Sequence, residues 1–326
     1  MQYILFYTIV SYISYIFYSP SIKLLEQFIN PASLNMYITG GGTIIIGIYN
    51  IIYTPSFYKN QDNNMSLSDI SYLFLTGFLN SLSSLFFYQS LNYAKNPAKF
   101  IAIQKCEILA SSIICIFIYH LKFYIVDIVS PILTITGIYL IYDYNYLYDK
   151  INIYDNDEEN QQSLLIEQIE TAAITTCYSS LSPICITSKD IIIIYLLKWS
   201  NISYEVIIQS YFLSSTLTFG LYKYLKYNSL NVIYLDNVEY PPNDLIPFLF
   251  VISITCYSVH ISSTIMAYNI YKNIAYIKII ISTIIALNSV ISKLVLCNDL
   301  YNKECLGIVL LLISPCIIYF NYLLVP

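Results

Sequence analysis

The chain contains no arginine: all 15 basic residues among its 326 are lysine, beside one tryptophan and two histidines. That absence excludes bidentate guanidinium clamps, so an anionic group would have to be held by lysine ammonium groups, hydroxyls or helix N-termini. Charged residues of any kind make up only 11% of the chain, and the lysines form no cluster interleaved with exposed aromatics. A nucleic-acid interface is thereby set aside. The eight cysteines show no metal-ligand spacing; only Cys297 and Cys305 flank a single short connection, where a disulfide would need an oxidising side. Glycine is sparse as well. Gly40, Gly41, Gly42 and Gly47 are followed by no Lys-Ser/Thr and preceded by no strand, so they read as close helix packing and not as a phosphate loop. There is no serine nucleophile elbow, Cys/His cluster or aspartate-rich metal motif. The expectation is a protein that is not an enzyme, with no cofactor and no metal.

What fills the chain instead is apolar surface. Hydrophobic residues make up 57% and tyrosine alone accounts for 36 positions, with a mean hydropathy of +0.62. Such a chain is solvated by a bilayer. Runs near the roughly 20 residues needed to cross about 30 Å of hydrocarbon predict ten spans, at 1–19, 33–53, 70–93, 97–119, 123–142, 171–188, 203–222, 246–268, 270–293 and 304–324. The first reads as a retained helix, since no small-residue cleavage pattern precedes Ser19-Pro20. Ile191 to Leu197 is too short to cross and reads as an interfacial turn or the tail of the sixth helix. The sequence thus predicts an all-α, multi-pass integral membrane protein. No sorting signal at Leu324-Val325-Pro326 separates plasma membrane from endomembrane, and the distribution of lysines between loops does not fix the orientation.

The spans divide evenly about an acidic stretch, residues 143–170, which holds Asp155, Asp157, Glu158, Glu159, Glu167 and Glu170 and reads as a solvated linker. Residues 1–142 and 171–326 then carry five spans each, with landmarks in register. Ser19-Pro20 followed by Lys23 is answered by Ser182-Pro183 followed by Lys189. Leu91-Asn92-Tyr93 is answered by Met266-Ala267-Tyr268, and Asp127 opening span five by Glu304 opening span ten. Five is odd, so a duplicated unit enters the membrane from the opposite side the second time. Inverted repeats of this kind build their sites near the midplane between the copies.

With Ser90-Leu91-Asn92-Tyr93-Ala94 leading to Ala98, the short His120-Leu121-Lys122 connection, Gly137-Ile138-Tyr139-Leu140-Ile141, Ala267-Tyr268 and Pro315-Cys316-Ile317-Ile318, the chain resembles the drug/metabolite transporter superfamily. It is similar in particular to its EamA-type and nucleotide-sugar-transporter-like members. Sugar-nucleotide members often carry Gly-Ala-Leu-Asn-Lys in the ninth helix, whereas this chain has Ile285-Ala286-Leu287-Asn288-Ser289. The resemblance implies alternating access through a cavity lined by both repeats.

Charge inside apolar spans marks where to look, because a charged side chain near the bilayer centre costs roughly 2.5–3.5 kcal/mol on insertion scales. Lys105 in span four and Lys278 in span nine occupy matching places in the two halves. Lys105 lies eight residues beyond Pro97, about 12 Å along a helix, beyond the reach of a snorkelling lysine stem. Gln104, Glu107 and Ser111 share an arc of the same helix, with Ser112 near Lys105; Lys105 and Glu107, two residues apart, point away from each other. Lys278 shares a face with Ser282, Ser289 and Lys293, with Tyr271 before it. The expected solute is an organic anion, or a zwitterion such as an amino acid, bound by Lys105, Glu107, Lys278, Gln104, Ser111, Ser282 and Ser289. Glu107 reads either as a neutralising partner or as the protonatable group of a proton-coupled exchanger. Pro20 and Pro183 are the candidate hinges; helix termination at the interface is the competing reading, stronger for Pro20. His120 reads as solvated, His260 as a packed histidine with a proton relay as the alternative. Partners are the bilayer and a small-molecule solute, leaving a coupled proton, a counter-substrate and a homodimer open. The different class is a non-transporting receptor or assembly subunit that kept a transporter-like fold.

Overall fold

In hydrocarbon no water satisfies a backbone N–H or C=O, so an apolar chain that spans a membrane closes its hydrogen bonds locally, as helix. The computed structural model describes residues 2–53, 65–93, 97–120, 122–151, 161–235, 245–270, 274–296 and 301–324. They form α1 (Gln2–Leu25), α2 (Pro31–Tyr53), α3 (Leu67–Tyr93), α4 (Pro97–Lys105), α5 (Glu107–Tyr119), α6 (Val126–Ile151), α7 (Gln161–Lys198), α8 (Tyr204–Tyr227), α9 (Leu245–Ile270), α10 (Ile274–Leu296) and α11 (Asn302–Leu324). Among the described residues six segments are long and apolar enough to cross a bilayer: Pro31–Tyr53, Leu67–Ser90, Ile101–Ile118, Cys177–Lys198, Leu245–Ile270 and Asn302–Asn321.

Several boundaries differ from the sequence expectation. The fourth span is divided into α4 and α5 at Cys106, and the sixth runs past 188 to Lys198, so Ile191 to Leu197 continues a helix. α6 extends to Ile151 and α7 starts at Gln161, so helix covers both flanks of the 143–170 stretch expected as linker. Pro20 does not end its helix: α1 continues to Leu25. The ring removes a backbone N–H, and the next residue reinforces the turn, Ser21 Oγ donating to Phe17 O at 3.0 Å and Tyr18 O at 2.9 Å. Pro183 likewise lies inside α7.

The helices gather into two compact units, Met1–Leu82 with Ser188–Tyr271, and Ser83–Thr187 with Lys272–Pro326. The first unit draws one stretch from either side of the acidic segment. In the first unit α1 packs along α9 and α2 against α8 and α9. Leu25, Ile29, Leu34, Ile38 and Leu249 are buried together there, and Gly41 and Gly42 let α2 approach Ile254 and Phe212. The segment after α8 is tied back by Asn30 N–H to Ile233 O at 2.9 Å and Leu235 N–H to Phe28 O at 2.8 Å. The fully buried Lys223 caps the same segment, its Nζ donating to Leu230 O at 2.9 Å and to Asn231 O.

In the second unit α6 packs on α11 and α10 on α5, α6 and α11. Ile138, Ile141, Ala286, Ile308 and Leu311 are buried at this centre. α6 and α11 run antiparallel and meet at Gly137 and Gly307, where a Cβ on either would stand 2.7 Å from the other's carbonyl oxygen. One turn or two away Ser130 Oγ donates to Ser314 O at 2.5 Å, and Ser314 Oγ returns a bond to Ser130 O at 2.8 Å. The equal offsets, seven residues on each helix, are those of two helices packed antiparallel. A local bond does recur at the helix starts: Tyr124 N–H bonds Asp127 Oδ2 at 2.8 Å, and Tyr301 N–H, 177 residues on, bonds Glu304 Oε2 at 3.3 Å. α2 and α8 also run antiparallel, with Met36 beside Gly220 and Gly47 beside Gln209.

Candidate functional site

The break in the fourth span organises the charged residues of the second unit. Cys106 N–H bonds to Ile103 O at 3.1 Å, an i to i−3 bond that tightens one turn, and Ala110 N–H resumes the ladder on Cys106 O at 3.0 Å. The separation of about 200° that a straight helix imposes on residues two apart no longer holds. Lys105 Nζ lies 3.8 Å from Glu107 Oε1, so the expectation that these side chains diverge is corrected. Across from them α10 brings Lys278 Nζ to 3.9 Å from Glu107 Oε2 and to 3.1 Å from Ser111 Oγ.

Two ammonium groups thus flank one carboxylate, a local charge of +1 in a setting where Glu107 is 6% exposed. Both approaches exceed the 2.7–3.2 Å of a hydrogen bond, so the pairs are Coulombic. Glu107 Oε2 is buried without a hydrogen-bond partner among the described residues.

Other side chains fix the frame. Tyr276, on the same helix as Lys278, donates its hydroxyl to Asp127 Oδ1 at 2.5 Å, and Ser112 Oγ donates to Asp127 O at 2.9 Å. Asp127 is 2% exposed and joins α5, α6 and α10 beside the charged trio. The sequence marked Asp127 only as a helix opener, and nothing in the spacing of Tyr276 announced its partner.

Not every expected residue converges. Gln104 Nε2 donates to Ser182 Oγ at 3.3 Å, beside Pro183, and Ser182 also bonds Ser83 Oγ at 2.9 Å. Ser282 Oγ donates to Lys278 O at 2.8 Å, which commits its proton to its own helix. Ser289 lies eleven residues beyond Lys278, about 16 Å along α10. Pro20 belongs to the first unit. Tyr271, Cys297 and the side chain of Lys293 lie outside the described residues. His120 is exposed and left-handed at the end of α5, φ 49°. His260 packs between helices, Nδ1 2.8 Å from Ser11 Oγ with the Tyr15 ring 4.8 Å away.

The first unit holds a pair that sequence reasoning placed outside the spans. Lys189 Nζ is 3.5 Å from Asp190 Oδ1 and 5.8 Å from the centre of the Tyr211 ring. Tyr211 is itself buried, its hydroxyl 3.2 Å from that of Tyr257. The available signal was the apolar run Ile191 to Leu197, which continues the helix and carries these charges to the middle of Cys177–Lys198.

Six long apolar helices and buried charge inside them define a multi-pass integral membrane protein. Residues 2–143 match the model of the EamA-like transporter family, consistent with the drug/metabolite transporter superfamily and supporting a membrane transporter in general. A crystal structure of another protein is similar over 95% of this chain and 95% of its own, with a TM-score of 0.63 at 9% identity; that likeness concerns the fold alone. No curated protein matches the chain.

Proposed function

We propose that the protein is a secondary transporter of a small organic anion or zwitterion, in the class of sugar phosphates, nucleotide sugars and amino acids, working by alternating access. The observation that carries this reading is the trio itself: Glu107 between Lys105 and Lys278 at 3.8 and 3.9 Å, with Oε2 unbonded. Its residual positive charge suits one carboxylate or phosphate. Binding would exchange the long contacts to Glu107 for short, charge-assisted bonds from the same ammonium groups. Ser111 adds a hydroxyl already oriented toward Lys278. The recurrence of one helix-start bond after 177 residues, Tyr124 N–H to Asp127 and Tyr301 N–H to Glu304, supports two repeats, and inverted repeats are the architecture in which a site is exposed first to one side and then to the other. Pro183, next to the serine that receives Gln104, is the hinge this reading favours.

The test is thermal stability of the purified protein across nucleotide sugars, sugar phosphates, amino acids and organic cations, for wild type, Lys105→Ala and Lys278→Ala. A ligand that binds only the native state raises Tm by mass action, about 2.7 kcal/mol of stabilisation at a hundredfold excess over Kd. A shift with one anionic or zwitterionic class, lost in both variants, is the expected result. No shift with any ligand, and variants merely less stable than wild type, would make the trio a structural ion pair and favour a non-transporting membrane protein.

A further inference from the structure

A cavity of about 240 Å³ lies within the first unit, between the C-terminal part of α2, the start of α8 and the second half of α9. At about 30 Å³ per water it has room for roughly eight waters, or a small organic molecule in their place. Its walls are largely apolar, with Ile208, Val259 and Met266 contributing. Glu205 is the one charged side chain among the described residues that line it, and the rings of Tyr49 and Tyr204 stand on the same lining. Ser262 Oγ, also on the wall, is buried without a hydrogen-bond partner among the described residues.

The charge of this lining is opposite to that of the lysine trio, and none of its residues belongs to that site. An anion would be repelled by Glu205. A purely apolar guest would desolvate the carboxylate and leave it uncompensated, which is costly in a low-dielectric site. A guest with a compact apolar body and one positive head satisfies both parts of the wall: carboxylate and phenol faces attract the cation, the latter through the ring quadrupole, while the aliphatic side chains take the body.

We propose that this cavity binds a small amphipathic organic cation, its ammonium head against Glu205 and its body against Ile208, Val259 and Met266. The inference is independent of the solute assigned to Lys105 and Lys278.

The experiment uses the full chain in lipid nanodiscs and two probes of equal size, phenyltrimethylammonium and its neutral isostere tert-butylbenzene, titrated calorimetrically against wild type, Glu205→Gln and Met266→Trp. The cation is expected to bind at least about tenfold more tightly than the isostere, the modest end of what close charge pairs contribute to recognition. Glu205→Gln should remove that preference while leaving the isostere unchanged, and Met266→Trp, which fills the space, should remove binding of both. Equal binding of the two probes by wild type would identify a crevice for lipid chains and overturn the proposal, as would absence of cation binding or a cation affinity indifferent to Glu205→Gln. Should Glu205→Gln fail to fold, the wild-type comparison of the two probes and the filled-cavity variant decide the matter.

Discussion

A double-mutant cycle on Glu107 and Lys278 tests whether the charged trio is an energetic unit. At 3.9 Å two unit charges attract by about 4 kcal/mol at an effective dielectric constant near 20. Desolvation offsets much of that, and Lys105 at 3.8 Å shares the same carboxylate. A coupling of about 2 kcal/mol therefore remains, inside the usual range for residues in contact. Lys278→Met alone leaves Glu107, 6% exposed, with Lys105 as its remaining ion-pair partner among the described residues, and Glu107→Gln alone leaves two ammonium groups facing each other's field. The double variant removes that mutual repulsion and leaves Lys105 without its carboxylate. At about 2.1 cal/mol/K of unfolding entropy per residue, a chain of 326 residues converts 2 kcal/mol into roughly 3 °C. Thermal melts of the four proteins in one detergent should show the double variant about that much above the sum of the single shifts. Strict additivity, within about 0.5 kcal/mol, would mean that the approach of Lys278 to Glu107 carries no coupling and that the site argument starts from the wrong pair.

Two further expectations concern the scaffold. Gly137→Leu places a side chain where even a Cβ would be 2.7 Å from Gly307 O; α6 and α11 must separate, costing about 1–3 kcal/mol or more, read as a lower Tm, and Gly307→Leu should do the same. Lys223→Met strips the Leu230 and Asn231 carbonyls of their donor, at about 1–3 kcal/mol, and limited proteolysis should then cut between Asn228 and Leu235 faster than in wild type.

Much of the architecture was legible because bilayer thickness imposes a length on apolar runs, and the spans near 33–53, 246–268 and 304–324 fall within two residues or so of α2, α9 and α11. Lys105 and Lys278 stood out for the same reason, as charges with no interface in reach. The geometry between them was not legible. A helix wheel assumes a continuous ladder, and the single i to i−3 bond at Cys106 has no proline or glycine to announce it. Lys189 was misread because charge is the ordinary sign of a span's end; the adjacent Asp190 offsets it, so the pair sits inside a helix that continues to Lys198. The Asp127 and Glu304 match survived because it reflects a local bond, a carboxylate taking the N–H three residues earlier, which any helix start can form without tertiary help.

The interleaving of the two units bears on how the chain is made. α1 buries Thr8, Ser11 and Ser14 against a unit whose main packing partner for it is α9, beginning only at Leu245. At about 5–20 residues per second of synthesis, the ribosome needs roughly 10–45 s to travel from the end of α1 to the start of α9. For that interval the Ser11 hydroxyl faces lipid, early helices or an insertion factor, since its eventual neighbours Thr264 and His260 do not yet exist. The order of the helices along the message therefore makes assembly of the first unit a late event.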